Sequence, residues 1–273
     1  MRACSPTRNE FQRVMALPLA LLSAAFLLLL SATDNFSFAH ESQANPTQAA
    51  SQSITLAAED SWPPFANQFG QGISHRLIAA AFKQSQVEVN SLVVPYSRAL
   101  MMAEKGAVDG VFNVTREAST EQRFVFGNTP LFVAQASFYQ RKQRPLLAAN
   151  KWEIPKGSIV GVIKSYEYGD EFPELVKQRQ LNVVTVANQQ QLINLLMIGR
   201  IDAAVMFDLV AQENLQKMGV SDDVIPAFNN HSSEIYLAFS KENPKAAQFA
   251  KELDQGLTQL KANGQYQQLL SPK

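Results

Sequence analysis

The sequence is poor in the residues that carry metal and covalent chemistry. It has one cysteine, Cys4, and three histidines in 273 residues. His75 and His231 have no second metal ligand at useful spacing, so no metal site is expected. There is no excess charge of either sign, with 24 basic and 24 acidic residues, and no basic run interleaved with aromatics. That argues against nucleic acid as a partner, and against electrostatic attraction to an acidic membrane surface. No phosphate-cradling glycine loop and no nucleophile–base constellation is present, so neither a cofactor nor an enzymatic activity is expected.

Long apolar runs are also lacking, except one. Ala16 to Ala32 follows Arg2, Arg8 and Arg13, and Ser37-Phe38-Ala39 supplies small residues at a cleavage site. This is the layout of a cleaved secretory signal peptide over residues 1–39 and predicts a periplasmic protein. The run is about 17 residues, near the lower limit of spanning length, so an uncleaved anchor is the alternative. Cleavage removes three arginines, Glu10 and Asp34, leaving 21 basic and 22 acidic residues. It also removes Cys4, so the mature chain has no disulfide and no thiolate ligand. Residues 40–53, rich in Gln, Ser, Ala and Asn, read as a flexible leader.

Beyond residue 53 the chain alternates β-prone and helical patterns. Strands are expected at 54–58, 87–94 and 110–115, with helices between them near 75–82 and 96–104. Asp60-Ser-Trp62-Pro-Pro-Phe65 forms a stiff loop that ends the first strand. After a basic surface crossing at 141–150 the pattern restarts. Strands follow at 159–163, 182–186 and 201–207, with helices to about 180, at 189–198 and at 208–218. A strand at 234–239 and helices at 245–263 and 265–270 end the chain. This order predicts parallel sheets covered by helices.

The halves echo each other. Gly106-Ala-Val-Asp109-Gly110 and Gly199-Arg-Ile-Asp202-Ala203 each follow a helix and precede a strand. Two similar units are expected, with Asp109 and Asp202 stabilising the turns. Between them lies the stretch with the most chemical character, Gly110-Val-Phe-Asn-Val-Thr115-Arg116, with Arg123 seven positions on. A strand ending in a hydroxyl and a guanidinium is suited to hold an anion, since ligands collect at the carboxyl ends of strands in α/β proteins.

Four segments together resemble the family 3 extracellular solute-binding proteins, the periplasmic components of polar amino acid uptake systems. They are Asp60-Ser-Trp-Pro-Pro-Phe65, the Gly106–Arg116 corner, Gly161-Val-Ile-Lys-Ser-Tyr166, and Ala238–Pro244 followed by Leu260–Tyr266. The resemblance covers about residues 54–271. It implies a periplasmic binding protein type II fold: two Rossmann-like α/β lobes joined by a two-strand hinge. Lobe 1 is expected over 54–140 plus 234–273, and lobe 2 over 141–233. It implies a monomer that closes on a small polar or carboxylate-bearing solute and delivers it to an ABC transporter permease. The alternatives are a sensing partner of a membrane receptor, or a periplasmic enzyme of the same fold such as a small-carboxylate dehydratase, for which Glu59, Asp60, Glu167 and Asp208 could serve as acid or base.

The resemblance also implies the site residues. Trp62 and Phe65 wall the cleft, Thr115 grips a ligand carboxylate, and Tyr166 faces the cleft from lobe 2. Asp208 stands where amino acid binders pair with the ligand's ammonium group. Thr120 occupies the usual place of the carboxylate-gripping arginine, so Arg116 or Arg123 is expected to take that role. Gly72-Ile-Ser-His-Arg-Leu77 stands where the family has Gly-x-Asp-x-Asp-Leu, a second departure from the pattern of ordinary α-amino acid binders.

Overall fold

The computed structural model describes residues 52–271. The expected signal peptide, the leader up to residue 51 and Cys4 lie outside the described residues. Among the described residues no helix is long and apolar enough to cross a membrane.

The first half of the fold is built on β1 (Ser53–Glu59), β4 (Glu88–Val94) and β5 (Gly110–Thr115). β1 pairs in parallel with both of the others. The crossovers are α1 (Ile73–Lys83) and α2 (Tyr96–Glu104). A short β2–β3 ribbon (Ser61–Trp62 with Ala66–Asn67) forms the loop after β1. The second half repeats the arrangement. β8 (Ile159–Ile163) pairs in parallel with β9 (Asn182–Val186) and β10 (Ala203–Phe207). Its helices are α4 (Phe172–Arg179), α5 (Gln189–Met197) and α6 (Asp208–Met218).

Two long antiparallel strands join the halves: β7 (Phe132–Arg141) and β11 (Val224–Ser240). The sheet therefore runs β4-β1-β5-β11-β7-β10-β8-β9, with β6 (Phe124–Phe126) paired to β11 at the side. Each lobe has its first strand central, flanked by its second and third, with a long crossing strand beyond the third. α7 (Ala246–Ala262) and α8 (Gln265–Leu270) return to the first lobe, where Phe249 packs edge-on to Phe82 of α1.

β11 begins ten residues before the expected strand at 234. Its first half contains Asn229-Asn-His-Ser-Ser233, a polar run without alternation. Pairing with β7 holds it extended, and the register shifts at Pro226/Phe228 and Asn229/His231. Such irregularities bend a strand locally.

The repeated corner is built alike in both lobes. The Asp109 carboxylate accepts from the Thr55 amide at 2.7 Å, and the Asp202 carboxylate accepts from the Ile159 amide at 2.9 Å. The Asp109 and Asp202 amides donate back to the same two residues at 2.8 Å. Each aspartate thus pins a third strand to a first. Asp109→Ala removes the acceptor of the Thr55 amide and of the Asn243 side chain. The expected loss is about 1–2 kcal/mol, read from the urea midpoint; an unchanged midpoint contradicts the role.

Candidate functional site

The carboxyl ends of β1, β5, β8 and β10 converge where the lobes meet. They enclose a cavity of about 10 Å³, lined by Glu59, Trp62, Tyr96, Asn113, Thr115, Tyr166, Glu167 and Phe207. That is room for about one water molecule. At this point the lobes close on each other.

The Trp62-Pro-Pro-Phe65 loop is held by the start of α1, whose Ile73 and Ser74 amides donate to the Pro64 and Phe65 carbonyls at 3.1 and 3.0 Å. Trp62 is 2% exposed and meets Phe207 of the second lobe edge-on at 5.1 Å. Phe65 stacks behind Trp62, between it and Phe132. Of the two expected wall residues, Trp62 lines the cavity and Phe65 supports it.

Asn113 has φ 65° inside β5. Opposite it the pairing jumps from Val114↔Tyr236 to Phe112↔Leu237, leaving Asn113 as the extra residue of a bulge. Asn tolerates the left-handed conformation better than most residues, and a bulge re-aims the side chain it carries. The Asn113 Oδ1 accepts from the Ser74 hydroxyl, while its buried Nδ2 has no partner. The buried Trp62 Nε1 is likewise without one. Thr115, one turn of the pleat on, also lines the cavity.

Two carboxyls dominate the electrostatics. The Tyr166 hydroxyl of the second lobe donates to Glu59 of the first. The Tyr96 hydroxyl of the first donates to Glu167 of the second at 2.8 Å. Tyr96 and Tyr166 meet edge-on at 5.2 Å. Burial raises Glu59 to about 8 against the pull of the Tyr166 hydrogen bond, with Asp60 and Glu167 adding repulsion. Burial raises Glu167 to about 8 in the same way, with Glu117 adding and Arg123 opposing. Both tyrosines are pushed upward by burial and these neighbours. A third hydrogen bond between lobes runs from the Gly169 amide to Glu117 at 2.8 Å. The Tyr166-Glu-Tyr-Gly169 segment therefore supplies the second lobe's side of all three bonds.

The expected arginines lie outside the cavity. Arg116 Nε bonds Glu121 at 2.6 Å, its Nη1 bonds the Gly127 carbonyl, and its guanidinium sits beside the Phe126 and Tyr236 rings. Arg123 makes two bonds to Glu104, at 3.1 and 3.2 Å. It borders an outer depression shared with Glu117, Ser119, Tyr166 and Glu167. Asp208 opens α6 and accepts from the Tyr139 hydroxyl at 3.0 Å, and it too is absent from the cavity lining. Thr120 is a structural residue here. Its hydroxyl donates to the Thr115 carbonyl and accepts from the Glu117 amide, closing a capping box with Glu117. The structure thus gathers Trp62, Thr115 and Tyr166, and adds Glu59, Tyr96, Asn113, Glu167 and Phe207. Glu59 and Glu167 carried a signal as acidic residues at or just beyond strand ends; Asn113 carried one only as the start of the polar break Asn113-Val-Thr115-Arg116.

A wider groove of about 780 Å³ also opens between the lobes, with residues 60–69 and Pro95 on one side and the start of α5 and the second half of α6 on the other. The side chain of buried Gln189 has neither of its polar atoms partnered there.

A two-lobed α/β protein joined by two crossing strands, with a polar cavity at the strand ends, has the type II periplasmic binding protein fold. Residues 54–272 match the bacterial extracellular solute-binding proteins, family 3, and the chain belongs to that family. No curated protein matches at the sequence level. Among solved structures, a histidine kinase sensor domain with similarity to periplasmic binding proteins is 17% identical, with TM-score 0.69, covering 80% of this chain and 93% of that one. An amino acid ABC transporter substrate-binding protein from Streptococcus pneumoniae, bound to L-arginine, is 18% identical with TM-score 0.67, covering 80% and 92%. An ancestral amino acid-binding protein, a precursor of cyclohexadienyl dehydratase, is 17% identical with TM-score 0.65, covering 80% and 92%. These likenesses establish the fold.

Proposed function

We propose that the protein captures a small polar solute between its lobes and delivers it to an ABC permease, without turning it over. The observation that supports this most is the closed cavity lined from both lobes and latched by three hydrogen bonds through residues 166–169. Each bond joins one lobe to the other, so each forms on closure and breaks on opening. The register shifts in β11 are candidate bend points for that motion. Trp62, Thr115 and Tyr166 are assigned to ligand contact, together with Glu59, Asn113 and Glu167. Arg116, Arg123 and Asp208 are assigned to structure. An exported location fits the arginine-led apolar segment of the sequence and the extracellular character of the family.

The expected result is that the purified mature protein rises in melting temperature with one group of compounds from a panel of amino acids, amines, small carboxylates and short peptides. A hit is expected to contract the protein in small-angle scattering. Conversion of the hit to product, followed by NMR, contradicts binding without turnover. Uptake of a labelled hit that survives deletion of the gene contradicts delivery to a permease.

A further inference from the structure

The cavity's charges are one-sided. Glu59 is buried and Glu167 half-buried; they reach the cleft from opposite lobes and line the same small space. No lysine, arginine or histidine lines that cavity. Arg123, the cation that acts on Glu167, is already paired with Glu104 outside. Apart from Asn113 and Thr115 the remaining walls are aromatic: Trp62 and Phe207, with the Tyr96 and Tyr166 rings. Two carboxyls among aromatic rings suit an organic cation, since carboxylates accept from an ammonium or guanidinium and aromatic rings can attract one. The unpartnered Trp62 Nε1 and Asn113 Nδ2 are donors, and suit an acceptor atom elsewhere on the same ligand.

We propose that the solute is a small organic cation, whose amine or guanidine group is held between Glu59 and Glu167. This rests on the reading of the cleft as a capture site. The expected carboxylate grip through Arg116 or Arg123 has no counterpart in the cavity, and the pair of carboxyls takes over as the charged anchor.

Proton release accompanies binding. With the lobes in contact, burial raises both carboxyls to about 8, so they are largely protonated near neutral pH. A cation between them favours their ionised forms, so they give their protons to solvent when it binds. The groups facing Glu59 are Tyr166, Asp60 and Glu167, and those facing Glu167 are Tyr96, Glu117 and Arg123. Only Arg123 favours ionisation by its charge. Affinity is therefore expected to tighten as pH rises from 6 to 8, by up to about tenfold per unit for each carboxyl that ionises.

Titration calorimetry with L-arginine, L-ornithine, agmatine and putrescine, set against L-citrulline, L-glutamate and succinate, tests the proposal. At least one cation is expected to bind at micromolar concentration with proton release, seen as a dependence of heat on buffer. Citrulline, the uncharged analogue of arginine, is expected to bind at least about a hundredfold more weakly. Glu167→Gln and Glu59→Gln, each shown to be folded by its melting curve, should weaken the cation at least tenfold and flatten the pH dependence. Equal or tighter binding of citrulline, glutamate or succinate overturns the cation reading while leaving solute capture standing. Failure of all four cations overturns it as well, and the wider thermal-shift panel then decides on capture.

Discussion

The wild-type protein is expected to lose stability between pH 6.5 and 8, and a Glu59→Gln/Glu167→Gln double variant is expected not to. In the unfolded chain a glutamate ionises near 4.5; in the closed protein burial holds both carboxyls protonated to about 8. Between those values the unfolded state binds fewer protons than the native state, so stability falls as pH rises. His75 and His231 work in the opposite direction. Burial lowers each from 6.5 to about 4, so their contribution is present above 6.5 and is lost as pH falls towards 4. The two effects oppose each other below 6.5, and from 6.5 to 8 the carboxyls act alone. The slope there is at most about 1.4 kcal/mol per pH unit for each carboxyl. Opening the cleft hydrates both carboxyls without unfolding either lobe, so the same pH rise is also expected to expand the protein in scattering. Melting curves at pH 6.5, 7.2 and 8 measure the difference; a flat wild-type series contradicts the burial of the pair.

Gly72→Ala is expected to be among the most damaging single substitutions. Gly72 has φ 137°, outside the range of side-chain-bearing residues, and a Cβ there would collide with the Phe65 carbonyl and crowd the Ala66 amide. Those are the atoms through which the aromatic loop meets α1, so relief requires the loop to shift on the start of the helix. The expected loss is about 3–5 kcal/mol. Gly219→Ala is the control. It has φ 70° at the end of α6, with open space around the added carbon, and should cost about 1 kcal/mol. Urea denaturation of both variants checks the contrast; similar losses would contradict the close approach at residue 72.

Much of the fold was legible because local signals agreed with it. The Gly106–Asp109 and Gly199–Asp202 corners announced two lobes, and their aspartates make the same strand contact in each. The first half of β11 was not legible, since Asn229 to Ser233 has no strand pattern and is held extended by β7 alone. The cavity lining was legible only in part. Trp62, Thr115 and Tyr166 stand beside recognisable turns and strand ends. Arg116 and Arg123 stand outside the cavity, which their sequence could not show, because a sequence shows a guanidinium but not its partner; Glu121 and Glu104 supply one to each. Glu59 and Glu167 come from different lobes, and only tertiary structure places them on one cavity. Thr120 reads as a missing ligand in sequence and as a turn-closing hydroxyl in the fold.

A crystal structure of the protein with its bound solute tests the central claim most directly. The solute is expected between Trp62 and Phe207, within hydrogen-bond distance of Glu59 and Glu167, with Tyr166 turned aside from its bond to Glu59. Solute found instead in the groove bordered by Phe69, Gln189 and Lys217, with the Glu59–Tyr166 and Tyr96–Glu167 bonds intact, would contradict it.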